Sequence, residues 1–395
     1  MNTIPFNKES MKKEMPVIIY GASTYGEIAY AALKKIGINV CYYCDRFVKG
    51  EYLGVKVIEP EALKDFVNAN IIIASRDYFY DIKDKLTEFG CKNIYDMREL
   101  ISVDLSDSKL SVRAMDMYSG KESYIDVANN QSSEMINFPR IQFVVTERCS
   151  LRCRDCISLM QYYDKPENVV IEEYIGSFDR LIRVVDNVSE LRILGGEPYM
   201  NPDVYKVIER YADSKKIAMI SVYTNGTIVP NELNLRALEN DKVILHISNY
   251  NHNEERVNKL INELKKYDIK YFVRNYDAWN DCGKLEYKGY SVEEMKKLFL
   301  KCFERGCYSF FRGQLHVCPR SAHAMYLKAM PDIKDDYVDL MDKAISDEEL
   351  KKQLMNLSKK TYIEACNYCQ GPDYSTPNIP AAIQINKPLS YTRIG

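Results

Sequence analysis

Three cysteines crowded onto one short loop constrain this chain more than any other feature. They fall in Thr-Glu-Arg-Cys149-Ser-Leu-Arg-Cys153-Arg-Asp-Cys156, a C-x3-C-x2-C spacing directly after a strand-like run at 141–146. Three thiolates on one compact loop can hold three irons of a cubane and leave the fourth iron open to a substrate or cofactor. Zinc is the rival reading. A structural zinc site takes four ligands, usually as two close pairs, and three cysteines with no nearby fourth fit that poorly. The chain has twelve cysteines; in a reducing compartment that number points to metal binding or catalysis rather than disulfides. Five more lie between Cys302 and Cys369. Cys41, Cys44, Cys91 and Cys282 join neither group and read as small buried apolar side chains.

Around the first cysteine group the hydrophobic pattern alternates between strand and helix. Strand signals lie at 141–146, 190–194, 217–223, 242–248 and 270–274, separated by helical spacing such as Ile171, Ile175, Phe178, Ile182 and Val185. Repeated strand-then-helix units predict a parallel sheet with helices outside, open or as a partial barrel. The cysteine loop, Gly195-Gly196-Glu197-Pro198, Thr224-Asn225-Gly226, Ser248 and Arg274 all fall at C-terminal strand ends, where such folds collect their chemistry.

The cysteine loop followed one strand later by Gly-Gly-Glu-Pro resembles the signature of the radical S-adenosylmethionine superfamily, over roughly residues 139–300. The resemblance implies a [4Fe–4S] cluster on Cys149, Cys153 and Cys156. It also implies that Gly195, Gly196 and Glu197 hold the methionyl amino group of S-adenosylmethionine. A backbone without side chains allows close approach, and a carboxylate accepts hydrogen bonds from an ammonium. By the same resemblance Asn225 lies near the cofactor, Ser248 contacts its ribose and Arg274 pairs with its carboxylate. The implied chemistry is reductive cleavage to a 5′-deoxyadenosyl radical, with an electron donor such as flavodoxin or ferredoxin.

Cys302, Gly313, Cys318 and the pair Cys366/Cys369 resemble the twitch form of the SPASM extension, which carries an auxiliary [4Fe–4S] cluster. Cys307 is a fifth candidate ligand, and spacing does not choose between it and Cys302. A zinc site from the same cysteines is the alternative. At the other end, Gly21-Ala-Ser23-Thr-Tyr-Gly26 follows an apolar run and precedes Asp45, close to a dinucleotide-binding fingerprint but with Ser23 in place of the middle glycine. The stretch through Lys49-Gly50 to Leu63 resembles Rossmann-like domains of bacterial sugar acyltransferases and surface-polysaccharide enzymes, which implies a nucleotide-sugar cradle or a docking module.

The expected order is therefore α/β throughout: a Rossmann-like domain at 14–105, a polar linker at 106–138, a radical S-adenosylmethionine partial barrel at 139–300 and a cysteine-rich extension at 301–395. A formal net charge of −2 gives no electrostatic case for nucleic acid or an anionic membrane. No secretory signal or membrane span is legible, so a cytoplasmic enzyme is expected. The expected activity is an oxidoreductase or epimerase acting on a sugar or other small molecule, including a nucleotide-sugar. The alternatives are a maturase of ribosomal peptides and a non-enzymatic, metal-stabilised interaction protein. No catalytic acid or base is assigned. His246, His252, His316 and His323 read as structural, and Arg148, Arg152 and Arg154 as solvated groups or as counter-charges to the cluster.

Overall fold

The computed structural model describes residues 6, 8–12, 14–75, 79–119, 135–250, 254–372 and 376–394. The centre of the expected linker, 120–134, and His252 lie outside the described residues. Two compact units divide the chain, Met1–Met135 and Ile136–Gly395.

The first unit is built on a six-stranded sheet in the order β3-β4-β2-β1-β5-β6. Its strands are β1 (Val17–Tyr20), β2 (Tyr42–Cys44), β3 (Glu51–Tyr52), β4 (Val55–Ile58), β5 (Asn70–Ile73) and β6 (Asn93–Asp96). All pairings are parallel except β3 with β4. The continuous apolar runs of β1 and β5 belong to strands buried on both faces: Ile18, Ile19, Ile71 and Ile72 are all inaccessible. Helix α1 (Thr24–Lys35) follows β1 directly, and Ser23 is its N-cap, accepting from Gly26 N at 3.4 Å. The serine that breaks the glycine fingerprint therefore starts the helix. A side chain on Gly26 would overlap the carbonyl oxygen of Gly21, so the loop needs that glycine to close on itself. Asp45, the acidic residue of the near-fingerprint, accepts from Ala22 N at 2.9 Å, Phe47 N at 2.7 Å and Val48 N at 3.0 Å. The fingerprint residues are engaged in holding their own turn.

The second unit contains an eight-stranded sheet in the order β11-β10-β9-β8-β7-β13-β14-β15. Strands β7 (Asn137–Thr146), β8 (Asn187–Gly195), β9 (Ile220–Thr224), β10 (Val243–Asn249) and β11 (Tyr271–Asn275) are the five expected parallel strands. Phe143, Ile193, Val222 and Leu245 align in register across β7–β10, all inaccessible, and form the core beneath the helices. Helix α2 (Ile171–Val184) covers part of that core through Ile171, Phe178 and Leu181. Successive residues of a strand point to opposite faces, so Gln142, Arg192 and Ser221 look the other way, into the concave side.

The segment expected as a separate extension is partly core. β13 (Cys307–Phe311) pairs parallel with β7, and β14 (Gln314–His316) and β15 (Tyr337–Asp339) continue the sheet antiparallel. The run Cys-Tyr-Ser-Phe-Phe is buried at every position, which is the mark of an interior strand rather than a surface hairpin. The chain ends on β16 (Asn378–Pro380), paired antiparallel with β12 (Ala278–Asn280), and then turns back across the molecule.

Candidate cofactor site

The cysteine loop leaves the sheet at Thr146, which is fully buried. Its hydroxyl accepts from Arg148 N at 3.0 Å and donates to Asn168 Oδ1 at 2.6 Å, which turns the chain outward. The next residue, Glu147, is 2% exposed and is held by Arg312 Nη2 at 2.7 Å. Arg312 stands at the tip of the β13–β14 turn with φ 49, so the core sheet clamps the loop from beneath. Arg148 and Arg154 are exposed, and Arg154 pairs with its neighbour Asp155 at 2.9 Å; these are solvated groups.

The three thiols are gathered. Cys149 feels both Cys156 and Cys153, and Cys153 feels Cys156. Burial raises the pKa of all three thiols, Cys153 to about 12, so ligation must displace protons from them. Two receive side-chain N–H donors: Asn225 Nδ2 lies 3.6 Å from Cys149 Sγ, and Gln384 Nε2 lies 3.2 Å from Cys153 Sγ. Such donors on ligand sulfurs are what tune an iron–sulfur centre.

Gly195 and Gly196 have a reason in the fold. A side chain on Gly195 would overlap the Thr146 carbonyl, and one on Gly196 would overlap the Arg148 carbonyl and stand 2.9 Å from Cys149 Cβ. The end of β8 lies flat against the cysteine loop, joined by Gly196 N to Thr146 O at 2.9 Å and Glu197 N to Arg148 O at 2.8 Å. Glu197 departs from its expected place. It is inaccessible, and its carboxylate accepts from Thr224 Oγ1 at 2.7 Å, Asn225 N at 2.8 Å and Tyr199 N at 3.4 Å. Burial lifts its pKa to about 7. In this structure the carboxylate fixes the Thr224-Asn225 loop, and the partly exposed atoms of the motif belong to Gly195 and Gly196.

Ser248 and Arg274 are paired in register on β10 and β11. Ser248 is hydrogen-bonded to Tyr250, whose phenol lies close enough to feel Cys153 and Cys156. Arg274 is exposed and stacks over Tyr276 at 4.8 Å, whose ring meets Tyr250 at 5.8 Å. The structure thus brings the cysteine loop, the glycines, Asn225 and Ser248 to one end of the sheet, with Arg274 at its margin.

Among the later cysteines, Cys302, Cys318, Cys366 and Cys369 line one largely apolar cavity. Cys307 does not. It is inaccessible on β13, where its sulfur accepts from Gln142 Nε2 at 2.9 Å, among Glu304, Arg192 and Arg140. As a candidate ligand it is corrected by strand direction: Cys307 faces the concave side of the sheet, and the cavity lies elsewhere. Cys282, read as bland from sequence, stands beside the set: its carbonyl accepts from Cys369 Sγ at 3.6 Å, and its thiol feels Cys369 and Cys302.

Sequence reasoning missed the C-terminal tail. Gln384 bridges to Cys153, and its side chain accepts from Arg152 N at 2.7 Å; Arg154 N donates to Ile383 O at 2.7 Å and Ile385 N to Arg152 O at 2.9 Å. Leu389 N reaches Gln161 O at 2.8 Å. The tail straps the cysteine loop across more than two hundred residues of sequence, and no local signal announces it.

Among the described residues, no three of His, Cys, Asp and Glu are placed to grip a single metal ion. A cubane holds its thiolates on separate corners, and three neighbouring thiols on one loop, Cys153 buried and Cys149 and Cys156 half-buried, fit it.

Taken together, the site defines an α/β protein that carries a three-cysteine loop at the C-terminal end of a parallel sheet. Residues 143–313 match the Radical SAM superfamily. The cofactors of the superfamily are a [4Fe–4S] cluster and S-adenosylmethionine. Among curated proteins it is similar to the GTP 3′,8-cyclase of Aquifex aeolicus (strain VF5), 25% identical over 40% of this chain and 51% of that one. A GTP 3′,8-cyclase of Desulforamulus reducens is 33% identical over 24% of this chain and 28% of that protein. The chain thus spans about half or less of the length of these relatives. Similar solved structures include anSMEcpe with bound AdoMet, 13% identical with a TM-score of 0.38, covering 60% of this chain and 89% of that one. BtrN in complex with AdoMet and 2-DOIA is 13% identical with a TM-score of 0.37, covering 59% and 93%. Among the described residues, no helix is long and apolar enough to cross a membrane.

Proposed function

We propose that this protein is a radical S-adenosylmethionine enzyme that removes a hydrogen atom from a small polar molecule, such as a sugar, in an oxidation or epimerisation in the cytoplasm. The observation that carries the reading is the union of Cys149, Cys153 and Cys156 on one loop with Gly195 and Gly196 pressed against it. When bound, the cluster and S-adenosylmethionine supply a 5′-deoxyadenosyl radical, and an external reductant such as flavodoxin or ferredoxin supplies the electron. The protein's own part is positional. Glu147 and Arg312 anchor the loop, Glu197 holds Asn225 toward Cys149, and Gln384 covers Cys153. Ser248, Tyr250 and Arg274 would meet the rest of the cofactor. Cys302, Cys318, Cys366 and Cys369 would hold an auxiliary cluster with no open iron, suited to accept the second electron of an oxidation.

Similarity to GTP 3′,8-cyclases favours a second reading, cyclisation of a purine nucleotide. One experiment separates the two. The protein is reconstituted anaerobically, reduced, and given S-adenosylmethionine with deuterated sugars or with GTP. Deuterium entering 5′-deoxyadenosine from a sugar supports the first reading, and GTP consumption supports the second. No 5′-deoxyadenosine under any condition contradicts both.

A further inference from the structure

Arg320 follows Cys318 and Pro319 in the first turn of the helix Pro319–Tyr326. An arginine there adds a cation where the helix dipole is already positive. It is only 5% exposed, and a buried charge is costly unless it is paired and hydrogen-bonded. The protein offers it little in return. Arg320 Nη2 donates to Gly283 O at 2.6 Å, its Nε has no hydrogen-bond partner, and among the described residues no carboxylate pairs with it. Such a side chain calls for an anion.

Two sites meet at this residue. On one side it belongs to the wall of the cavity lined by Cys302, Cys318, Cys366 and Cys369. That cavity measures about 540 Å³ with its mouth, against roughly 30 Å³ for one water, so it has room for a group many times larger. The wall holds one other cation, Arg305, and one carboxylate, Glu304; these offset each other and leave Arg320 in surplus. On the other side Arg320 lies within electrostatic reach of Cys156 and of Tyr162, which follows the first cysteine loop. Tyr162 is in turn hydrogen-bonded to the backbone of Leu285, a residue of the cavity wall. The first cysteine loop and the cavity are in contact there, and Arg320 is the cation between them.

A [4Fe–4S] core ligated by cysteine thiolates is anionic, and its potential follows its net charge, its burial and the donors on its sulfurs. Two such groups repel each other through the low-dielectric interior. A guanidinium between them offsets that repulsion for both, and an unpaired, charged N–H suits a sulfur acceptor. A cation in the wall also makes it easier to add an electron at the second site, the direction an electron acceptor needs.

We propose that Arg320 is a shared counter-charge for the two clusters, a positioning residue that raises the reduction potential of both, and most that of the cluster in the cavity it lines. The inference rests on the proposed function for the presence of a second cluster, but neither substrate nor turnover is needed to test it. Potentiometric titration of the anaerobically reconstituted full chain, followed by electron paramagnetic resonance, reads both potentials in the parent, in Arg320→Gln and in Arg320→Lys. In Arg320→Gln the ratio of reduced to oxidised second cluster at the parent's midpoint should fall about tenfold, a shift of about 59 mV for one electron. The first cluster should shift less, in the same direction. Arg320→Lys keeps the charge but not the planar fork, and should recover most of the difference at both. Iron and sulfide counts equal to the parent's report that the variants are loaded. Iron loss in Arg320→Gln that Arg320→Lys restores would show that assembly itself needs the charge, and would support the proposal. Unchanged potentials in Arg320→Gln, a shift confined to one cluster, an equal shift in Arg320→Lys, or iron loss in both variants would overturn it. A parent that holds the iron of a single cubane would instead contradict the second cluster of the proposed function, and this proposal with it.

Discussion

The two cysteine groups of the second unit are built in opposite ways. Cys149, Cys153 and Cys156 sit on one loop, which comes straight off β7 and is clamped from three sides by Arg312, Gly195-Gly196 and Gln384. Cys302, Cys318, Cys366 and Cys369 come from three separated places: the end of a helix at 292–301, the start of another at 319–326, and a short turn at 364–368. They meet only because the chain folds around one cavity. The first group is local and depends on close backbone packing. The second is a product of tertiary structure and depends on which way each side chain turns.

The largest expected difference is in metal content. Cys302→Ser should cost the protein the iron and sulfide of the second site, about four of each, whereas Cys307→Ser should leave the total unchanged. Chemical iron and sulfide analysis after anaerobic reconstitution decides this; equal loss in both variants would return Cys307 to the ligand set.

Gly196→Ala comes next. Its new methyl would overlap the Arg148 carbonyl and crowd Cys149 Cβ, 2.9 Å away, and overpacking of this kind costs about 1–3 kcal/mol. Iron should fall at the first site alone, seen as loss of its electron paramagnetic resonance signal while that of the second site persists.

A smaller effect concerns acid stability at the helix Pro319–Tyr326. His323 is inaccessible, with Tyr163 Oη 2.8 Å from its Nδ1, and burial lowers its pKa from 6.5 to about 3. The unfolded chain takes up a proton near pH 6.5 and the folded chain resists until about pH 3, so stability falls as the pH drops through that interval. The slope from this group is at most about 1.4 kcal/mol per pH unit. Chemical denaturation of His323→Asn and the parent between pH 7 and pH 5 should show a shallower loss in the variant; parallel curves would contradict the account.

The smallest effect is the tail's. Gln384→Leu removes the N–H donor from Cys153 Sγ at little cost in volume. Losing one hydrogen bond of about 1 kcal/mol should lower the potential of the first cluster by on the order of 40 mV. Potentiometric titration reads the shift, and the second cluster's potential should not move.

The same contrast explains what could be read from sequence. Five parallel strands were legible because each is a β-branched run spaced by helical periodicity, and the loop of Cys149, Cys153 and Cys156 because its spacing is self-contained. The sixth parallel strand was not. Cys307–Phe311 has no alternation, since both its faces are buried, and it lies in the segment expected as a cysteine-rich extension. Whether Cys302 or Cys307 lines the cavity depends on strand direction, which spacing does not encode. The inward turn of Glu197 depends on donors 27 and 28 residues away, and the strap of Gln384 on a partner 231 residues away. In the first unit, Gly21, Ser23 and Asp45 suggested a ligand, yet each is accounted for by closure of its own turn.

The account stands or falls on whether the cluster held by the loop keeps one iron open for S-adenosylmethionine. Electron paramagnetic resonance of the dithionite-reduced, reconstituted protein, recorded with and without S-adenosylmethionine, measures this directly. The spectrum should change on addition of the cofactor in the parent protein, and the responsive signal should be missing from Cys149→Ala/Cys153→Ala/Cys156→Ala while the second cluster's signal remains. A responsive signal that survives the triple substitution, or a parent spectrum indifferent to the cofactor, would contradict it.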